Sequence, residues 1–191
     1  MVFFFNHKKM PGSAFSVSAP LAPKDTFEYL SDLSNAPGAA GGWDPCTLSS
    51  EKQGDQAVWK VTFARWPKAP MRYVRVDEGD DRTFWDDNRR EGVVVFVSSN
   101  EAGNFQTLER FVIVGDGTGS CVNYSVSVGT SGWRKLPCFG SLLWSSVLWA
   151  QLAADGARTR TALGSALEDR WRAQRGAKTT AEVMSLSVQV L

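Results

Sequence analysis

The segment running from Arg134 to Arg172 constrains this chain more than any other, because it is the longest stretch that reads as a helix and it follows a long succession of strand-like runs. Trp144, Leu148, Leu152, Thr159, Leu163 and Leu167 recur at intervals of three or four, or of seven across Gly156. That spacing lays them along one side of a helix of period 3.6. It predicts a helix near 141–170, with Ser141 placed to cap its start and Arg170, Arg172 and Arg175 at the negative end of its dipole. Burying its five largest apolar side chains contributes roughly 10 kcal/mol gross, at about 1.5–3 each. Such a helix needs a surface to close on. A membrane span over 136–154 is the competing reading, since that run carries no charge and a span needs about 20 apolar residues. Pro137, Gly140, Ser141, Ser145, Ser146 and Gln151 interrupt it, however, and an apolar stripe on one face favours a core helix.

The preceding residues supply strands. Phe15, Val17 and Ala19 alternate with Ser16 and Ser18, the period of a half-buried strand. After the step from Pro20 to Pro23, PKDTFEYLSDL reads as a short amphipathic helix with Phe27, Leu30 and Leu33 on one face. NAPGAAGGWDP is a connector or a broken second helix, with Trp43 turned inward. Strands are then expected at 46–52, 59–63, 71–77, 105–114 and 121–128, the last with the cleanest alternation. Residues 82–98 read either as two strands or as one bent strand with a bulge near Glu91 and Gly92. The expected architecture is α+β: a curved antiparallel sheet of about seven strands wrapped on a long C-terminal helix. The expected division is a tail at 1–14, one domain at 15–172 and a second tail at 173–191.

Composition excludes several functions. A net charge of +1 without a dense basic run gives no field for nucleic acid. The one histidine, His7, lies in the N-terminal tail, so histidine triads and histidine-based metal sites are excluded. The three cysteines, Cys46, Cys121 and Cys138, lack CxxC spacing and suit thiols packed in a reducing compartment. The acidic run Asp77, Glu78, Asp80, Asp81 with Asp86 and Asp87 lacks calcium-loop periodicity and reads as a solvated turn. GDGTGS at 115–120 is not followed by the Lys-Ser/Thr of a phosphate-binding loop, and the sequon at Asn123 falls mid-strand. No metal and no cofactor is expected. Residues 1–5 are too short an apolar run for a signal peptide. The expectation is an intracellular protein, soluble or peripherally attached to membranes, with residues 1–5 and 183–191 as candidate contacts for a protein or membrane surface.

Three stretches in this order resemble the SRPBCC superfamily, whose START-like and cyclase-like members share the helix-grip fold. FSVSAPLAPKDTFEYLSDLSN resembles its opening strand-to-helix step. GDGTGSCVNYSVSV looks like its glycine-rich hairpin before the last strand. GWRKLP is similar to the approach to its terminal helix. Together they cover about residues 15–170. The resemblance implies a hydrophobic cavity between sheet and helix and binding of lipids, sterols, pigments or polyketide-like molecules.

Eight tryptophans and eleven phenylalanines either fill a generous core or line such a cavity. By strand parity, the candidate lining residues are Trp59, Phe63, Tyr73, Trp85, Phe96 and Tyr124, with Trp144 and Leu148 from the helix. Glu109 and Arg110 are consecutive on one strand, so one of them must face inward, either as a polar anchor for a ligand or in an ion pair with Arg75 or Asp87. Arg110 is taken as the candidate anchor. No catalytic constellation is evident, and the expected function is carriage of a hydrophobic small molecule. The alternatives are a cyclase- or dehydrase-like enzyme using Tyr73, Tyr124 and carboxylates, or a filled scaffold serving as a subunit.

Overall fold

The computed structural model describes residues 12–35, 46–53, 56–64, 70–101, 105–130 and 156–177. The strands in chain order are β1 (Gly12–Ala19), β2 (Cys46–Gln53), β3 (Gln56–Phe63), β4 (Met71–Arg75), β5 (Phe84–Asp86), β6 (Glu91–Asn100), β7 (Phe105–Gly115) and β8 (Ser120–Thr130). They form one curved antiparallel sheet in the order β1-β8-β7-β6-β4-β3-β2, with β5 paired to β6. Helix α1 (Pro23–Leu30) follows β1, and a single 3-10 turn spans Leu33–Asn35. Helix α2 covers 156–177. This is the helix-grip arrangement, with α2 in the place the sequence assigned to the terminal helix.

Side-chain parity decides which face is the core. The register stacks Phe15, Tyr124, Phe111 and Val94 across four strands. The next inward row runs Val126, Glu109, Phe96, Arg75, and the one after it Val128, Thr107, Ser98, Tyr73, Trp59. All of these except Phe15 and Arg75 are buried, whereas Ser16, Lys60, Arg72, Arg110 and Asn123 of the opposite parity are exposed. Alternation in β8 makes this face separation legible, because a strand turns successive side chains to opposite sides.

Helix α2 turns Thr159, Leu163 and Leu167 into the core, at 2%, 0% and 0% exposure. The helix lies close to β1: a Cβ on Gly156 would meet Ser13 Oγ at 2.5 Å, and one on Gly164 would meet Val17 Cγ1 at 3.5 Å. The expected helix over 141–170 is thus found from 156 onward and runs further, to 177. Trp144, Leu148, Leu152 and the run 136–154 lie outside the described residues, as do Trp43, residues 1–11 and residues 178–191, whereas residues 12–14 of the expected first tail belong to β1 and residues 173–177 of the second to α2. No helix among the described residues is long and apolar enough to cross a membrane.

Helix α1 packs over β6, β7 and β8. Pro23 occupies its first turn, where a missing N–H costs nothing. Thr26, fully buried, hydrogen-bonds Ser120 across 2.9 Å and ties the helix to the start of β8.

The alternatives for 82–98 resolve into two strands, β5 and β6, joined by a turn over 87–90. Asp86 Oδ1 accepts the N–H groups of Asn88 and Arg89 at 2.9 and 3.2 Å, and Arg90 takes a φ of 53° to close the turn. Between the end of the β4 pairing and the start of the β5 pairing, Val95 has no strand partner on that side. Its C=O accepts Val76 N–H at 2.9 Å and its N–H donates to Thr83 Oγ1 at 3.0 Å. A buried backbone pair left open there would be costly, so the segment 76–83 completes the sheet.

Candidate ligand site on the concave face

Five rings follow one another along the inner face. Trp59 meets Phe96 edge-on, centroids 5.6 Å apart, and Phe96 meets Phe111 in the same way at 6.4 Å. Phe111 and Tyr124 lie at 4.9 Å, and Tyr124 and Phe15 at 4.9 Å. Edge-to-face and tilted pairs at these separations are the favourable geometry for aromatic quadrupoles. The series crosses the sheet from β3 to β1 without a break.

A polar cluster is set into this apolar wall. Glu109 has no exposure at all. Its Oε2 accepts the Tyr124 hydroxyl at 3.2 Å and its Oε1 accepts Thr107 Oγ1 at 3.3 Å, while Thr107 also shares a 2.7 Å bond with Ser98. The Tyr73 hydroxyl contributes a further hydrogen bond to the carboxyl. Burial is the main effect on Glu109: it pushes the pKa up to about 8, against which the bonds from Tyr124, Thr107 and Tyr73 work. The carboxyl is therefore neutral at neutral pH, the expected response of an acid removed from water with hydroxyls rather than cations around it. Burial and the neighbouring carboxyl together raise Tyr124 well above the ordinary phenol value.

Arg75 shares the row of Glu109 with Phe96 between them, and its charge is directed elsewhere. Its Nε bonds Asp77 Oδ1 at 2.7 Å and its Nη1 bonds the carbonyl of Ser31 at 3.1 Å, at the end of α1. Asp87 lies near Lys24, 3.8 Å away on the surface. The expected ion pair, of Glu109 with Arg75 or of Arg110 with Asp87, is absent among the described residues, and hydroxyls surround the Glu109 carboxyl. No group of three or more acidic, histidine or cysteine side chains among them could hold a metal ion.

The structure brings Trp59, Tyr73, Phe96 and Tyr124 together on the concave face, all at 4% exposure or less. Phe63 is buried too, at the far end of β3. Trp85 is half-buried beside Gly92 and packs on Phe27 of α1, centroids 5.5 Å apart, with its indole N–H on Asp87. It closes the α1 end of the sheet rather than joining the ring series. Arg110 requires a correction: it sits on the outer face, exposed, and Glu109 is the inward member of the pair. The physical reason is that a carboxyl can enter an apolar site by keeping its proton, whereas a guanidinium stays charged. Trp144 and Leu148 lie outside the described residues. Thr107, Ser98 and Phe111 had no place in the expected lining, and Glu109 stood there only as the alternative to Arg110. For Thr107, Glu109 and Phe111 the signal was the parity they share with Ile113.

Two further features frame the site. Trp59 Nε1 donates to Ser34 Oγ at 3.3 Å, fastening the 3-10 turn to β3. The Arg170 guanidinium of α2 lies 5.9 Å from the ring centre of Tyr29 of α1, joining the two helices. A separate depression of about 280 Å³ lies on the surface between Pro20–Pro23, the 115–119 turn and Arg89–Arg90. Arg89 is already engaged there by Asp86 and Glu91.

No family model matches the sequence, and no curated protein matches it. Solved structures are similar in fold. The Zhui aromatase/cyclase from Streptomyces aligns at 15% identity and a TM-score of 0.47, covering 83% of this chain and 94% of that one. Norcoclaurine synthase from Thalictrum flavum, in complex with dopamine and hydroxybenzaldehyde, aligns at 15% identity and a TM-score of 0.44, covering 81% and 86%. A protein from Thermus thermophilus gives 16% identity and a TM-score of 0.44, covering 80% and 99%. Likeness at this level concerns the path of the chain, and the function rests on the site itself.

Proposed function

We propose that this protein binds a hydrophobic small molecule between the concave face of the sheet and α2. The observation that carries this reading is the ring series from Trp59 to Phe15 with a fully buried, hydroxyl-bonded carboxyl set into it. Apolar walls with a small number of placed polar groups are the usual composition of small-molecule sites. Removing about 300 Å² of apolar ligand surface from water contributes roughly 7 kcal/mol before the costs of association, enough for useful affinity at a pre-formed site.

The test is titration with N-phenyl-1-naphthylamine, a neutral apolar fluorophore, alongside native mass spectrometry of co-purified small molecules. Saturable binding that is weakened about tenfold by Phe96→Trp or Phe111→Trp, which add ring volume to the wall, supports the reading. An absence of binding by the wild type at full thermal stability overturns it and leaves a filled scaffold.

A second reading, acid–base catalysis on the bound molecule, is favoured by the pKa of Glu109 near 8 and its bond to Tyr124. Extracted ligand that changes mass on incubation with wild type but not with Glu109→Gln separates an enzyme from a carrier.

A further inference from the structure

The face of the sheet turned away from the core is divided in two. On β1 and β8 its positions are polar: Ser16 and Ser18, then Asn123, Ser125 and Ser127. On β3, β4, β6 and β7 they are largely aliphatic. One cross-strand row is Val58, Val74, Val97 and Leu108, and another is Phe84 of β5, Val93 and Val112. A sheet face that meets water carries polar side chains, as the β1–β8 half does. On the other half Phe84 is 39% exposed and Val74, Val97, Leu108 and Val112 are half-buried. Among the described residues no helix covers it, since α1 and α2 place Leu30, Leu163 and Leu167 in the concave core. Arg110, exposed between Val95 and Ser125, marks the border of the two halves.

The charges around the aliphatic half are separated along the strands. Lys60 and Arg72 lie in the row beyond Val97, with Glu101 on Lys60 at 3.6 Å. Asp86 and Glu91 lie in the row beyond Val93, with Arg89 on them at 3.7 and 3.4 Å. Two cations against one anion leave the first end net positive, and two anions against one cation leave the second net negative. We infer that a second copy of this chain docks on this half of the convex face. A two-fold axis lying in the contact plane and across the strands sets the basic end of each copy on the acidic end of the other, with the aliphatic rows between them. Such a contact is self-complementary, and Arg110 stays at its rim. The four strands at about 4.8 Å spacing and β6 from Glu91 to Ser99 at about 3.4 Å per residue cover roughly 500 Å² per copy. The total of about 1,000 Å² is the lower bound for a specific interface, so the pair is weak and reversible.

The experiment is sedimentation equilibrium of the full chain from about 1 to about 300 µM, the range in which such an interface associates. It is joined to zero-length carbodiimide crosslinking of an equal mixture of isotope-labelled and unlabelled protein. Expected is a monomer–dimer equilibrium, with Lys60 linked to Glu91 or Asp86 in mixed-label pairs. Within one chain these rows stand about 27 Å apart along the strands, too far for a zero-length link. The Lys60–Glu101 link forms inside one chain and reports that the reagent has worked. Leu108→Lys should weaken the dimer at least about tenfold, and the milder Val97→Thr about fivefold. Arg72→Glu should weaken it as well, and adding Glu91→Arg to Arg72→Glu should restore it.

A chain that stays monomeric over the whole range overturns the inference. So does a dimer that Val97→Thr and Arg72→Glu leave unchanged, or one that yields only the Lys60–Glu101 link, because its contact lies elsewhere. If Leu108→Lys does not fold, Val97→Thr and the charge exchange decide. A monomer that instead sediments with phosphatidylcholine vesicles, and loses this with Val97→Thr, assigns the face to a lipid surface and overturns the pairing of two copies. None of these outcomes bears on ligand binding at the concave face, which the probe titration tests by itself.

Discussion

Tyr124 Oη lies 3.2 Å from Oε2 of Glu109, so two buried titratable groups of the sheet share one hydrogen bond across β7 and β8. The carboxyl has an ordinary value of 4.5 and a folded value of about 8. Between these values the unfolded chain is ionised and the native chain holds its proton, so the native state binds more protons. Stability therefore falls as pH rises through this window, by up to about 1.4 kcal/mol per unit, and the loss is complete above the folded pKa. Glu109→Gln removes the titration while keeping the shape. Its melting temperature should be flat over the window and should exceed that of the wild type at pH 9. Thermal scans from pH 4.5 to pH 9 check this, and parallel curves for the two proteins would refute it.

Leu163 has no exposure and faces the sheet from the middle of α2. Leu163→Ala should cost about 2–5 kcal/mol in urea unfolding, by loss of transfer energy and by the cavity left behind. Leu163→Asp should prevent folding or lead to aggregation, since it buries an unpaired charge. A wild-type unfolding midpoint for either variant would mean that α2 is not gripped by the sheet.

The bond between Trp59 Nε1 and Ser34 Oγ is the fastening of the 3-10 turn to the ring series. Trp59 is only 4% exposed, so Ser34→Ala leaves a largely buried donor without that acceptor. A cost of about 1–2 kcal/mol is expected, seen in chemical denaturation.

Gly92 lies where β5 and α1 meet the sheet. A Cβ there would approach Trp85 Cε3 to 2.7 Å and Phe27 Cδ2 to 2.8 Å. Gly92→Ala should destabilise by about 1–3 kcal/mol through displacement of these rings. Gly79→Ala serves as a contrast: its φ of +92° strains any L side chain, but nothing stands within 4 Å, and the cost should stay near 1 kcal/mol. Calorimetric melting of the pair ranks steric crowding against backbone strain.

Arg110 is the control for the site. Being exposed on the outer face, its replacement by Ala should change stability by less than about 0.5 kcal/mol and leave probe binding unaltered. Weakened binding in Arg110→Ala would return it to the list of candidate ligand contacts.

Periodicity alone determined much of this protein. The 3.6 spacing of Thr159, Leu163 and Leu167 marked the inward stripe of α2. The alternation from Val122 to Val128 marked both the strand and its buried face. Both patterns are local, because side-chain direction repeats within one element whatever lies opposite. Parity also limited Glu109 and Arg110 to opposite faces, but it carries no sign, and the choice between them was left to packing. That choice belongs to tertiary structure: only the register of β4, β6, β7 and β8 brings Tyr73, Ser98, Thr107 and Tyr124 to Glu109, residues up to 51 positions apart in the chain. Likewise Trp85 shows the pattern of a lining residue, yet the short pairing of β5 with β6 and the position of Phe27 place it at the α1 end. An ionisable side chain is assigned its face and its charge by the dielectric and the hydrogen bonds of distant strands, and these exist only once the sheet has closed around the helix.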